Sequence, residues 1–221
     1  THEPEQSLHA RRSETGKFLL LHAAFFFFLL SPFLLGFLAF SHTDALQFEY
    51  PLTAFMKSRL FSSAMLWNDL GGQGFPTTIV YGYGFHIVLQ FLLLFLSPMS
   101  ATHWTMFVSA VIGALFFSKT LRLHGFSLWA SFLAGAIYPL TLWSWIFAQS
   151  IFVFIPVFAI FLYVVSRYAT KPWKCGVLAC ATLTFGILTL QAHYAFLFLA
   201  ASSGYILWTT RELRKGNARL A

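Results

Sequence analysis

The chain carries seven carboxylate side chains, and their spacing is uneven. Glu3, Glu5, Glu14 and Glu212 lie near the two ends, whereas Asp44, Glu49 and Asp69 share one stretch, residues 41–84. Acid–base chemistry by carboxylates is therefore concentrated there. Asp44 with Gln47 three residues later has the spacing of a capping box that opens a helix. A carboxylate beside a water-accessible cavity is also placed to accept a proton. The two roles are compatible, because a capped carboxylate is held and oriented. Glu49 lies five positions on and need not share a face with Asp44. It reads as a solvated surface acid, with a second-carboxylate or metal role left open. Asp69 belongs to the run Trp67, Asn68, Asp69, Leu70, Gly71, Gly72, which with Pro76 reads as a structured turn.

Five of the eight histidines, His22, His86, His103, His124 and His193, lie in or beside apolar segments. Intramembrane ionisable groups are rarely idle. His42, His86, His103 and His193 map to one side of the topology derived below, and His22 and His124 to the other, where a structural role is expected. Two histidines on facing helices could hold a haem or pigment. Cys175 and Cys180 are too few for a disulfide framework and have no metal-site company; they read as buried thiols.

The elements that must position these groups follow from composition. Of 221 residues, 58% are hydrophobic, 28 are Phe and only 10% are charged, against about 25% charged in a soluble domain. That excludes disorder and an ordinary soluble globule. The net charge of +7 does not indicate nucleic acid, because the basic residues fall in short clusters between apolar runs, the pattern of membrane topology signals. Residues 18–40 are too long for a signal-peptide core and lack a cleavage site, so they read as a retained first span. Charge is absent from residues 18–43, 70–118, 123–166 and 175–210, runs of 26, 49, 44 and 36 residues. A span takes about 20 residues. The first run is then one helix. The third and fourth are helical hairpins, turning near residues 143–150 and 191–193. The second run holds two spans if residues 79–98 cross, or one, near 102–121, if they do not. The positive-inside rule decides. Without a crossing at 79–98 the inside carries 12 basic residues and the outside only Lys57 and Arg59. With it, the count becomes 3 inside to 11 outside.

The expected fold is all-α and polytopic, with about six transmembrane helices plus amphipathic and re-entrant helices at the outer face. Residues 1–17 form a cytoplasmic tail, 18–210 the transmembrane module with an outer loop over 41–101, and 211–221 a second cytoplasmic tail or the start of a further part. Within the loop, residues 45–66 read as one or two surface helices broken at Pro51. The re-entrant stretch hints at a site, since irregular backbone at membrane depth must line a cavity or be buried in protein.

The order of motifs carries a resemblance. A first span is followed by Asp44, Gln47, Pro51, an amphipathic stretch, Trp67-Asn68 and Gly71-Gly72-Gln73-Gly74-Phe75-Pro76. Downstream come Gln191, Ala192, His193 and Tyr194, with Ala192 where a Gly is usual. This order resembles the YfhO-like bacterial membrane proteins, which belong with the GT-C-fold glycosyltransferases. The resemblance implies a multi-pass protein of the bacterial cytoplasmic membrane that moves a sugar from a polyprenyl-phosphate donor to an acceptor at the outer face. It implies Asp44 as general base or metal-linked acid, with Gln47 and Glu49 beside it. A leaving phosphate needs cationic or strong donor partners; Lys57 and Arg59 are the outer cations, with His86 and His193 next. Membrane headgroups are the competing partner for the two cations. A divalent metal is left open. Family members are longer, and the chain starts with Thr, so it is expected to be an N-terminal module whose partners are membrane lipid, the lipid-linked sugar and further spans or a second membrane protein. The alternative is a non-catalytic scaffold or assembly subunit with the same fold; a haem or pigment carrier is third.

Overall fold

The protein is described by a computed structural model covering residues 3–38, 50–60, 67–68, 75–76, 87–143, 150–189 and 192–214. Among them eight helices follow in order: α1 (Glu3–Leu34), α2 (Tyr50–Ser58), α3 (Ile87–Leu93), α4 (Pro98–Leu123), α5 (Leu128–Trp143), α6 (Ser150–Tyr168), α7 (Pro172–Thr189) and α8 (Ala192–Arg214). Two two-residue strands, β1 (Trp67–Asn68) and β2 (Phe75–Pro76), pair antiparallel between α2 and α3. The architecture is all-helical apart from that pair.

Helix ends carry their own chemistry. α1 closes on Gly36, whose φ of 80° is the left-handed conformation that suits glycine. There Leu38 N–H reaches back to Pro32 C=O at 2.9 Å. The segment expected as a separate charged tail instead continues α1 from Glu3, and the helix stops at Leu34, short of the expected Phe40. α4 opens with Ser97 as N-cap, its hydroxyl accepting from Ser100 N–H at 3.2 Å, and Pro98 next in line. Proline suits that place because its missing N–H would have had no partner. Pro51 likewise sits in the first turn of α2, where its missing N–H needs no partner, and the stretch before Tyr50 lies outside the described residues.

Side-chain pairs fix how the long helices run. α1 lies antiparallel to α4, with Phe33 opposite His103, Phe27 opposite Phe107, His22 opposite Ser118 and Glu14 opposite Arg122. α5 is antiparallel to α4: Ser118 Oγ donates to Ser131 C=O at 2.8 Å, and the Phe117 and Tyr138 rings stack 4.5 Å apart. α6 runs parallel to α4, since Phe116 meets Tyr163 and His124 meets Ser166. α8 is parallel to α6, since Phe161 meets Phe198 and Ser166 meets Tyr205. Helix direction thus alternates through α1, α4, α5, α6, α7 and α8, with α7 turned back on α6 by the short link 169–171.

The packing is inside-out by the standards of a soluble core. The buried face of α4 is built from Ala101, Thr105, Ser109, Ala110, Gly113, Ala114 and Ser118, small residues that allow close helix approach. A Cβ on Gly113 would collide with Ile155 Cγ2, and one on Gly135 with Ser118 Oγ. Outside, Leu20 is 72% exposed, Phe28 84%, Trp173 82% and Leu207 71%. Continuous apolar exposure on this scale marks a surface that meets something other than water. Among the described residues two helical segments, Ser13–Leu34 and Pro98–Leu123, are long and apolar enough to cross a membrane; Leu128–Thr141 and Ile155–Tyr168 are shorter apolar stretches.

Candidate functional site

Two ends of the bundle carry chemistry. At the first, α2 and α3 dock against the start of α4 through Phe55, Met56, Leu89, Leu93 and Ala101. Lys57 Nζ donates to Leu96 C=O at 2.6 Å, tying α2 to the link between α3 and α4. An ammonium has three donors, so two remain. The Arg59 guanidinium lies 4.6 Å from the centre of the Phe55 ring. These two expected outer cations therefore share one short helix and its exit. Strand pairing brings Trp67 opposite Pro76 and Asn68 opposite Phe75, so the backbone reverses between them. Asp44, Gln47, Glu49, Gly71, Gly72 and His86 lie outside the described residues, as does Asp69. His193 falls in the first turn of α8, and the placement of its side chain lies outside the description.

The opposite end gathers groups that the sequence did not bring together. The N-terminal half of α1, the C-terminal turns of α4 and those of α6 enclose a cleft of about 320 Å³, lined by Glu14, Phe18, Lys119, Arg122, Tyr163 and Arg167, with Thr15 and Leu123 completing it. Arg122 Nε donates to Glu14 Oε1 at 2.5 Å, and its Nη1 to Phe126 C=O at 2.6 Å. Lys119 Nζ stands 4.8 Å from the Tyr163 ring centre and 5.7 Å from that of Phe116. Three cations and one carboxylate leave the lining at +2.

Beside this cleft His124, the C-cap of α4, meets α6 and α8. Ser166 Oγ donates to Leu162 C=O at 2.8 Å. Its single proton is thereby used, so Tyr205 O–H donates to Ser166 Oγ at 2.5 Å. The Tyr205 oxygen then accepts from His124 Nε2 at 3.0 Å. Burial pushes the His124 imidazole below its ordinary pKa of 6.5. The chain of bonds ends on a backbone carbonyl, so it holds three helices together and presents no free nucleophile.

Two further histidines are engaged inside the bundle. His103 Nδ1 donates to Phe33 C=O at 3.0 Å. His22 Nε2 donates to Ser118 Oγ at 2.9 Å, because the Ser118 proton already goes to Ser131. His22 Nδ1 is buried with no hydrogen-bond partner among the described residues. Fifteen residues of α4, about 22 Å, separate the levels of His103 and Ser118, so this histidine pair cannot ligate one haem iron. Among the described residues no three His, Cys, Asp or Glu side chains gather as a metal site.

Sequence reasoning placed Glu14 in a solvated tail and missed its bond to Arg122. The signal available was positional: the tail and the Lys119/Arg122 cluster belong to the same side by charge counting. The Ser166–Tyr205 contact left no sequence signal. No protein family, curated protein or solved structure matches the chain.

Proposed function

We propose that the chain is a six-span module of the bacterial cytoplasmic membrane that carries, in its outer loop, the site of a polyprenyl-phosphate-dependent glycosyl transfer. The observation that supports this reading best is the antiparallel register of α1 and α4. In two antiparallel neighbours the end of the first and the start of the second share a face, so the segment bearing Asp44 starts and ends at the same face. α3, at seven residues, is about 10 Å long and far short of the roughly 30 Å hydrocarbon layer. Lys119, Arg122, Arg167 and Lys171 collect at the other end, which the positive-inside rule makes cytoplasmic. The loop with Asp44 is then outer, as are the starts of α4 and α8, and both termini are cytoplasmic.

In the proposed reaction Asp44 takes the proton of an acceptor hydroxyl. The acceptor oxygen forms a bond to the anomeric carbon with inversion, and the bond from that carbon to the phosphate oxygen breaks. Polyprenyl phosphate leaves with the electron pair. The two remaining donors of Lys57 would meet that phosphate, joined in the proposal by Arg59, His86 and His193; Gln47 and Glu49 would orient the acceptor. The apolar groove between the spans would carry the lipid tail.

The test is release of polyprenyl phosphate from radiolabelled polyprenyl-phosphate sugars by membranes holding the chain or its Asp44→Asn variant. Loss of a general base lowers turnover by about 10²–10⁴-fold. Equal expression with that drop supports the assignment. Full activity in Asp44→Asn removes Asp44 from the mechanism. No release from any donor, with the protein folded, favours the scaffold reading.

A further inference from the structure

The cleft at the cytoplasmic end has the chemistry of an anion site, and the outer-face reaction makes no use of it. We propose that it binds the phosphate of an anionic membrane phospholipid. The inference rests on the membrane orientation above and not on the transferase chemistry.

Four observations carry it. Glu14, the carboxylate lining the cleft, is committed to Arg122 Nε, and neither Lys119 nor Arg167 has a carboxylate partner among the described residues. The site is therefore short of negative charge by two. Second, the donors are set before any ligand arrives. Arg122 is fixed on one edge by Glu14 and on another by Phe126 C=O, which uses two of its five N–H groups. Lys119 rests over the Phe116 and Tyr163 rings. Preorganised donors bind with less loss of side-chain freedom. Third, the cleft's volume of about 320 Å³ equals the liquid share of about ten waters, room for a glycerophosphate headgroup. Fourth, the wall formed by Phe18 continues down α1 at helical spacing into Leu21 and Phe25, both 37% exposed. An acyl chain leaving the headgroup would lie along that stripe, which a soluble phosphate would leave uncovered. Basic pockets at the cytoplasmic ends of spans recognise anionic headgroups by this combination of cations and apolar wall.

The experiment uses the full chain purified in detergent free of phospholipid. Thermal unfolding is followed against added phosphatidylglycerol, phosphatidylcholine and inorganic phosphate, and bound lipid is counted by native mass spectrometry. Phosphatidylglycerol is expected to raise the midpoint and to be retained, while the other two leave it unchanged. Lys119→Gln and Arg167→Gln should each weaken retention about fivefold, and the charge-keeping pair Lys119→Arg and Arg167→Lys should restore it. Lys174→Gln, an exposed cation outside the cleft, should change retention little. A full shift with inorganic phosphate overturns the lipid source. Equal retention of phosphatidylcholine, or an equal loss in Lys174→Gln, overturns the site and leaves only general surface attraction.

Discussion

His22 shows how a polar side chain is held inside an apolar bundle. Its Nε2 proton goes to Ser118, the Ser118 proton goes to Ser131, and the ring stacks on Phe132 with centroids 4.8 Å apart. Gly135 makes room for the arrangement, because a Cβ there would collide with Ser118 Oγ and sit 2.8 Å from Ala114 C=O. Gly135→Ala is expected to cost about 1–3 kcal/mol by overpacking, read as a lower unfolding midpoint in detergent. Gly176→Ala, which meets nothing within 4 Å, should show no loss. His124 gives a pH dependence. Its folded imidazole titrates below 6.5, so just beneath that pH the unfolded chain binds more protons. Stability therefore rises with pH across this window and is lost as pH falls through 6.5. His124→Gln should flatten that slope between about pH 7 and 5.5; an unchanged slope would discard His124 as its source. That His22 and His124 hold structure was legible from their place in the sequence. Their partners, 96 and 42 residues away, were not, because serine and tyrosine carry no positional code.

At the scale of elements, the charge-free runs located the helices well. The turn expected near residues 143–150 falls between the end of α5 at Trp143 and the start of α6 at Ser150, and the one near 191–193 between Thr189 and Ala192. The charged residues ahead of the first run hid the continuation of the helix, since Gly16, between Glu14 and Phe18, reads as a break and yet lies inside α1. Which helix touches which was likewise hidden. A helix apolar on every face has no stripe to reveal its partner, and shape decides. Phe198 illustrates this: it is fully buried, edge-on to Phe161 and Phe158, and fills the space left by Gly186. Phe198→Ala should cost about 3–5 kcal/mol and loosen α8 from α6, seen as faster proteolysis near the C-terminal end. Phe196→Ala removes a ring that is 71% exposed and should leave the digestion pattern unchanged. A matching pattern in both variants would refute the packing account.

For the whole molecule the decisive property is sidedness. In a Cys175→Ser, Cys180→Ser background, Leu38→Cys and Ser97→Cys are expected to react with an impermeant maleimide from one face of sealed vesicles, and Ser127→Cys only from the other. Labelling of Leu38→Cys and Ser97→Cys from opposite faces would mean that the intervening loop crosses. Helix register says which helix ends share a face, while charge counting proposes which of those faces is cytoplasmic, so the labelling tests the second independently of the first. The candidate catalytic loop was readable as motif order alone, and its geometry belongs to residues beyond those described. The register also has a consequence in time. Sixty-three residues separate Leu34 from Pro98, and a ribosome adding about 5–20 residues per second needs about 3–13 s to make them. Through that interval α1 exists without its mate. The imidazole of His22 is thus laid down seconds ahead of the hydroxyl that will receive its proton, and until Ser118 is made that proton must find a different acceptor.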